Sequence, residues 1–314
     1  MSSLTSQAVN VNVTGHEPVS LTSVDAYLGP GATRFFGAGH QRVQYEFVDL
    51  AVESDGTVRG HACVSYPTGW STKATGPLRP HLSTIDALIL GADLAEVALR
   101  RSNGDGWTGW LRRVDIRAGA APYEEGLDRV AVGASIVSTA GDGDGHAPVS
   151  VVECAVANMV VRCEVEHGLA GRTDLPLYGG YRGRRQLIED VTVDVERERA
   201  DATVTILASG DQGAPVTTLV DSFVVALQMG QVLLYELDGV ERAHSNTLWM
   251  RNTTITCRTP HPPIDQRIAV TTSLTASRLL KGRGATWRSA TVEADVNGVH
   301  ARCSVAHELP VGRA

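Results

Sequence analysis

Asp86-Ala-Leu-Ile-Leu-Gly-Ala-Asp93-Leu-Ala-Glu96-Val and Asp221-Ser-Phe-Val-Val-Ala-Leu-Gln228-Met-Gly-Gln231-Val align at a shift of 135 residues. Each run lies inside a long apolar segment, Ser83 to Arg100 in one case and Thr218 to Leu237 in the other. Neither segment carries a clean polar stripe, so each is expected to be a helix buried on most sides. Ser83-x-x-Asp86 and Thr218-x-x-Asp221 have capping-box spacing at the helix starts. Gly104 and Gly239 follow near the ends, where glycine commonly closes a helix.

Three further matches occur in the same order. Phe36-Gly-Ala-Gly lies over Tyr178-Gly-Gly-Tyr at a shift of 142, and Trp110-Leu-Arg-Arg-Val-Asp-Ile over Trp249-Met-Arg-Asn-Thr-Thr-Ile at 139. Glu153 to Leu169 lies over Glu293 to Leu309 at 140. Two copies at so long a period mean a duplicated domain, not a repeat array. Around each helix the pattern reads as strands: 43–52, 58–66, 110–117, 130–138 and 149–166 in the first copy. The second copy offers 186–195, 200–207, 248–258, 266–275 and 285–305. Residues 140–148 read as a surface turn cluster. The element order gives an α+β class, and a curved antiparallel sheet around one buried helix resembles the hotdog fold. The expectation is a tandem (double) hotdog: a tail over 1–24, a first half over 25–172 and a second half over 173–314.

The 314 residues are 43% hydrophobic and 20% charged, enough for a packed core and against global disorder. The net charge of −7 lowers the expectation of nucleic-acid or anionic-membrane binding. Lys73 and Lys281 are the only lysines. The N-terminus lacks a secretory pattern, and no run reaches the apolar length of a membrane span. Cys63, Cys154, Cys163, Cys257 and Cys303 are scattered and never in a C-x-x-C pair, which argues for a reducing cytoplasm and against a disulfide framework or zinc site. There is no G-x-S-x-G elbow, Walker A or H-E-x-x-H motif. No metal and no tightly bound cofactor are expected.

Several long motifs carry a closer resemblance: Arg34-Phe-Phe-Gly-Ala-Gly39, Pro80-His-Leu-Ser-Thr-Ile-Asp86, Trp110-Leu-Arg-Arg-Val-Asp-Ile116, Gly230-Gln-Val-Leu-Leu-Tyr-Glu-Leu-Asp-Gly239 and Ser245-Asn-Thr-Leu-Trp-Met-Arg251. From about Val24 to Pro310 the chain resembles the avirulence protein D (AvrD) family. That resemblance implies biosynthesis of syringolide-type acyl-sugar signals from a 3-ketoacyl thioester and a pentulose such as xylulose. In logic it is similar to the A-factor synthases. The implied partners are an acyl carrier protein or CoA thioester and a small sugar, with a homodimer also entertained. The resemblance transfers no catalytic residue.

The catalytic candidates therefore rest on pattern. Asp221 and Asp86 are the repeated acidic residues, expected as general bases or as helix caps. His81 is asymmetric, since Val216 stands at the equivalent place, and imidazole suits proton transfer near neutral pH. Asp93 and Gln228 lie two turns further along each helix on the same face as the first Asp. With Ser222 and Asn246 they are candidate substrate contacts. Trp110 with Arg112, and Trp249 with Arg251, are W-x-R pairs whose strand alternation would put ring and guanidinium on one face, to hold a phosphopantetheine or phosphate. The competing reading is an Arg stacked on Trp. His167 and His307, repeated at strand ends, read as structural, and Glu153/Arg162 and Glu293/Arg302 as cross-strand pairs. The second half is expected to orient the polar substrate while Asp221 first, and Asp86 next, move the proton with help from His81. Competing functions are a hotdog dehydratase or thioesterase on acyl carriers, and a non-catalytic binder of a butenolide-like signal.

Overall fold

A computed structural model of the chain describes residues 17–73, 76–104, 106–141, 147–168, 175–208, 216–260, 262–264, 267–282 and 284–310. In chain order the elements are β1 (Val19–Ser23), α1 (Val24–Leu28), β2 (Gln44–Val52), β3 (Val58–Ser65), the two-residue strands β4 (Thr72–Lys73) and β5 (Gly76–Pro77), and α2 (Thr84–Asn103). Next come β6 (Gly109–Arg117), β7 (Val130–Ala140), β8 (Val149–Val156), β9 (Met159–His167), β10 (Arg184–Asp194), β11 (Arg199–Ala208) and α3 (Leu219–Asp238). The chain closes with β12 (Trp249–Cys257), β13 (Ile268–Gly282), β14 (Ala285–Val296) and β15 (Val299–Glu308).

Thirteen strands form one sheet in the order β1-β10-β11-β13-β14-β15-β12-β6-β9-β8-β7-β3-β2, with every pairing antiparallel. β2-β3-β7-β8-β9-β6 and β10-β11-β13-β14-β15-β12 are the same arrangement twice, meeting at β6 and β12. Each set wraps one helix, and the fold is a double hotdog. α2 and α3 start with complete capping boxes, Ser83 with Asp86 and Thr218 with Asp221. α2 presses so closely on β9 that a Cβ on Gly91 would lie 2.6 Å from Val161.

α3 is long and apolar enough to cross a membrane by length and composition, although Asp221, Gln228, Gln231 and Glu236 interrupt its apolar run. Every residue from Leu219 to Tyr235 is instead buried against the rest of the chain, as in the core helix of a globular domain. Three expectations need correction. Val19–Ser23, placed in the tail, is a strand paired to β10, with Val19 opposite Val193. The N-terminal segment thus serves the second copy's sheet, and the Tyr27 hydroxyl donates to Glu236 of α3 at 2.8 Å. The long strands expected over 149–166 and 285–305 are each a hairpin, turning at Ala157 (φ 52°) and at Asn297-Gly298 (φ 54° and 80°). Those hairpins set Glu153 opposite Arg162 and Glu293 opposite Arg302. The centre of the turn cluster, 142–146, lies outside the described residues.

Candidate active site

α2 begins at the wall of a cavity of about 470 Å³ built from both copies. Ser83 and Thr84 of α2 line it together with His81 and Leu82 just upstream. Trp70, Ser71 and Lys73 come from the β3–α2 connection, and Arg34, Phe35 and Phe36 from the turn before β2. The second copy supplies Gln231, Arg242 and the run Thr247 to Arg251. Gly37 lets that early turn fold tightly, because a Cβ there would meet the Gly31 carbonyl oxygen at 2.2 Å.

The repeat generates a second cleft at the start of α3, and it is closed. It measures about 10 Å³ and is filled by Trp110, Leu111, Leu177 and Tyr178, a space at the limit for a single water. The helix N-termini differ accordingly. Leu219 N–H, the first of α3, donates to the Tyr178 carbonyl at 3.3 Å. Thr84 N–H stands at the equivalent position of α2 and has no acceptor among the described residues. An unpaired N–H at a helix start, lining a cavity, is a donor for a developing oxyanion.

His81 is the expected catalytic residue that lines the cavity directly. Its ring lies 5.6 Å from Trp70 and 5.8 Å from Trp249, centroid to centroid. Nδ1 faces the Arg79 carbonyl at 3.3 Å. A carbonyl only accepts, so Nδ1 carries the proton in that contact and Nε2 keeps a lone pair for the cavity. Asp86 is fully buried one layer below. It accepts from Tyr45 (2.6 Å), from the Ser83 N–H (2.6 Å) and from Tyr66. The same Tyr66 hydroxyl lies 2.7 Å from the His81 carbonyl, so its one proton is shared between the two acceptors, which ties Asp86 to His81 through one hydroxyl. Burial raises the Asp86 pKa, against the pull of these donors.

Asp221, expected first among the proton carriers, does not line the cavity. It too is fully buried, but Arg184 Nε grips both its oxygens at 2.8 and 3.1 Å. Gln186 (2.7 Å) and the Thr218 N–H (3.1 Å) and hydroxyl (2.9 Å) add to this. It sits beside the closed cleft with its acceptors spent on a buried ion pair, a structural use of a carboxylate.

The remaining candidates divide between the cavity and elsewhere. Trp249 and Arg251 line the cavity, but through a β-bulge between Met250 and Asn252 rather than strand alternation. The bulge is repeated between Leu111 and Arg113. There Trp110 plugs the closed cleft, and Arg112 turns outward to Glu166 at 3.4 Å. Ser222 is buried with its hydroxyl toward the Val296 carbonyl (3.4 Å), and Asn246 offers its carbonyl to Lys73 (2.7 Å). Gln228 accepts from Arg34 at 2.7 Å. Asp93 lies under Tyr178, away from the cavity; burial and neighbouring Glu96 push its pKa up to about 7, opposed by the Tyr178 hydroxyl. His307 binds Asp238 (2.8 Å), and His167 binds Trp107 (3.1 Å) and Ser150 (2.7 Å), both structural uses. Sequence reasoning missed Arg34, Trp70, Lys73 and Arg242. The available signal was Lys73, a lysine in a chain that otherwise uses arginine almost throughout.

A family model described as Pseudomonas avirulence D protein (AvrD) matches residues 19–310. No curated protein matches the chain. Among solved structures, a TesB protein of Mycobacterium avium subsp. paratuberculosis is similar at 10% identity and TM-score 0.42, covering 83% of this chain and 96% of its own. A protein of unknown function with a hot dog fold from Alicyclobacillus acidocaldarius gives 9% identity and TM-score 0.44, with the same coverages. The dehydratase domain from the CurJ module of the curacin polyketide synthase gives 11% and 0.34, again covering 83% and 96%.

Proposed function

The chain belongs to the AvrD family, and on that premise we propose that it joins a 3-ketoacyl group from an acyl thioester to a hydroxyl of a small, xylulose-like sugar. The observation that carries this reading is the single-sided opening: the α2 cleft holds an unpaired helix N–H beside His81, while its α3 counterpart is filled. The thioester carbonyl oxygen is placed at the Thr84 N–H. His81 Nε2 takes the proton of the sugar hydroxyl as its oxygen attacks the carbonyl carbon. The carbon–sulfur bond then breaks, and the thiolate recovers the proton from His81. An ester and a free thiol result.

The carbon between the two carbonyls of the transferred group remains acidic. Its deprotonation by His81 gives an enolate, which adds to the sugar ketone, and the new alkoxide takes the proton back. This condensation would yield a syringolide- or butenolide-type precursor. Asp86 is a positioning residue: through Tyr66 and the Ser83 cap it fixes the segment that carries His81. Trp249 and exposed Arg251 are assigned to the pantetheine arm of a CoA or carrier-protein donor. No metal or cofactor enters these steps.

The test is thiol release from a 3-ketoacyl thioester with and without xylulose. Sugar-dependent release with a sugar ester as product supports the transferase. Sugar-independent release identifies a hydrolase, and binding without release identifies a sensor; either result overturns the proposal.

A further inference from the structure

The cavity has one corner of unusual charge. Arg34, Lys73 and Arg242 line it, and no Asp or Glu lies among the described residues of the lining. Arg34 is 2% exposed. It donates to Gln228 at 2.7 Å and to Asp25, yet its buried Nε–H has no acceptor. Lys73 donates to the Ser245 carbonyl (2.7 Å) and hydroxyl (3.1 Å) and to the Asn246 carbonyl (2.7 Å), all neutral oxygens. Arg242 donates to the Thr72 carbonyl at 3.1 Å, again neutral. Burial and the charge of Arg242 push the Lys73 pKa down to about 8, as expected where cations face one another without a counter-ion.

Asp25 offsets Arg34, which leaves two positive charges uncompensated in a half-buried site. Desolvated cations without partners are costly, so a ligand that neutralises them binds with a large electrostatic gain. A phosphomonoester carries a charge close to −2 near neutral pH. Position separates the two sources of phosphate. The phosphate that joins the pantetheine arm to its carrier continues on both sides, so that group belongs at the open rim, where Arg251 is exposed; the terminal 3′-phosphate of coenzyme A is told apart by the coenzyme A probe below. The corner beside buried Arg34 suits a terminal group.

We propose that the acceptor is bound as a sugar phosphate, its terminal phosphate seated on Arg34, Lys73 and Arg242. This rests on the transferase reading only for the sugar's role, because the binding itself needs no turnover. Arg242 offers its remaining guanidinium N–H groups, and Lys73 and Arg34 their charge.

Titration calorimetry on the full chain tests it, with D-xylulose 5-phosphate, D-xylulose, inorganic phosphate and coenzyme A as probes. The sugar phosphate should bind at least about tenfold more tightly than the free sugar, and inorganic phosphate should compete with it. Arg242→Gln should bring the two sugars to within about twofold, and Lys73→Gln should do the same should the first variant fail to fold. Arg251→Ala should keep the sugar ratio and weaken coenzyme A. Equal affinity of the two sugars for the wild type overturns the subsite. So does a ratio that survives Arg242→Gln, or an Arg242→Gln effect confined to coenzyme A. Selective binding of the sugar phosphate without thiol release would leave the subsite standing and remove the transferase instead.

Discussion

Asp115 and Thr254 occupy equivalent positions in the two repeats and face one another in the sheet, Thr254 Oγ1 donating to Asp115 Oδ1 at 2.7 Å. A residue that pairs with its own repeat equivalent marks the local two-fold between the copies. The six strands and the long helix of one copy therefore have counterparts in the other, and the two copies can be compared position by position. Arg113 also binds Asp115, at 2.6 and 2.9 Å, so the junction keeps an ion pair when Thr254 is changed. Thr254→Val should cost about 1 kcal/mol in denaturant unfolding and leave turnover unchanged.

The paired helix carboxylates should behave differently. Asp221→Asn leaves Arg184, whose side chain is 10% exposed, without its counter-charge, a loss of about 3–5 kcal/mol. The fraction that folds should turn over within about twofold of wild type. Asp86→Asn should lower kcat more than about tenfold with KM little changed, and Tyr66→Phe should follow it in the same split. Thermal melts and steady-state kinetics on the same preparations check both.

Asp93 gives a pH signature. Its folded pKa is raised to about 7 from an ordinary 3.8, so between those values the native state holds more protons than the unfolded chain. Stability from this group therefore falls as pH rises from about 4 to about 7. Asp93→Asn should raise the melting temperature above pH 7 and give no gain below pH 4. Buried His40, pushed down to about 4 by desolvation, destabilises the fold as pH falls, but equally in both proteins, so the difference curve isolates Asp93.

Arg251→Ala should mainly raise KM for the thioester, with kcat held within about twofold. Its guanidinium lies at the exposed rim and has no ion-pair partner among the described residues. A fall in kcat without a change in KM would move Arg251 from donor binding to the chemistry.

The repeat made both helices, their caps and the order of elements along the chain legible, because apolar period and capping chemistry are local. What was not legible depends on contacts far apart in sequence. Arg184 reaches Asp221 across 37 residues, and no spacing rule announces that pair. The choice of cleft turns on Trp110 and Tyr178 filling one space while their counterparts Trp249 and Phe36 line the open one. The bulges at Arg112 and Arg251 shift side chains off the alternation that sequence implied. Lys73 and Trp70 sit on a connection without periodicity, where only the fold gives them a partner.

The assignment of the α2 cleft is tested most directly by deleting one N–H from each helix. Proline is well tolerated at the first position of a helix, and Ser83 and Thr218 both have the extended backbone that a following proline requires. Sugar-dependent thiol release is measured for Thr84→Pro and Leu219→Pro, with melting curves for each. Thr84→Pro should keep its stability and lose about 10²- to 10³-fold in kcat, as for a missing oxyanion donor. Leu219→Pro should keep kcat and lose about 1 kcal/mol of stability with its bond to Tyr178. Full turnover in a folded Thr84→Pro protein, or the rate loss appearing in Leu219→Pro instead, would contradict the assignment.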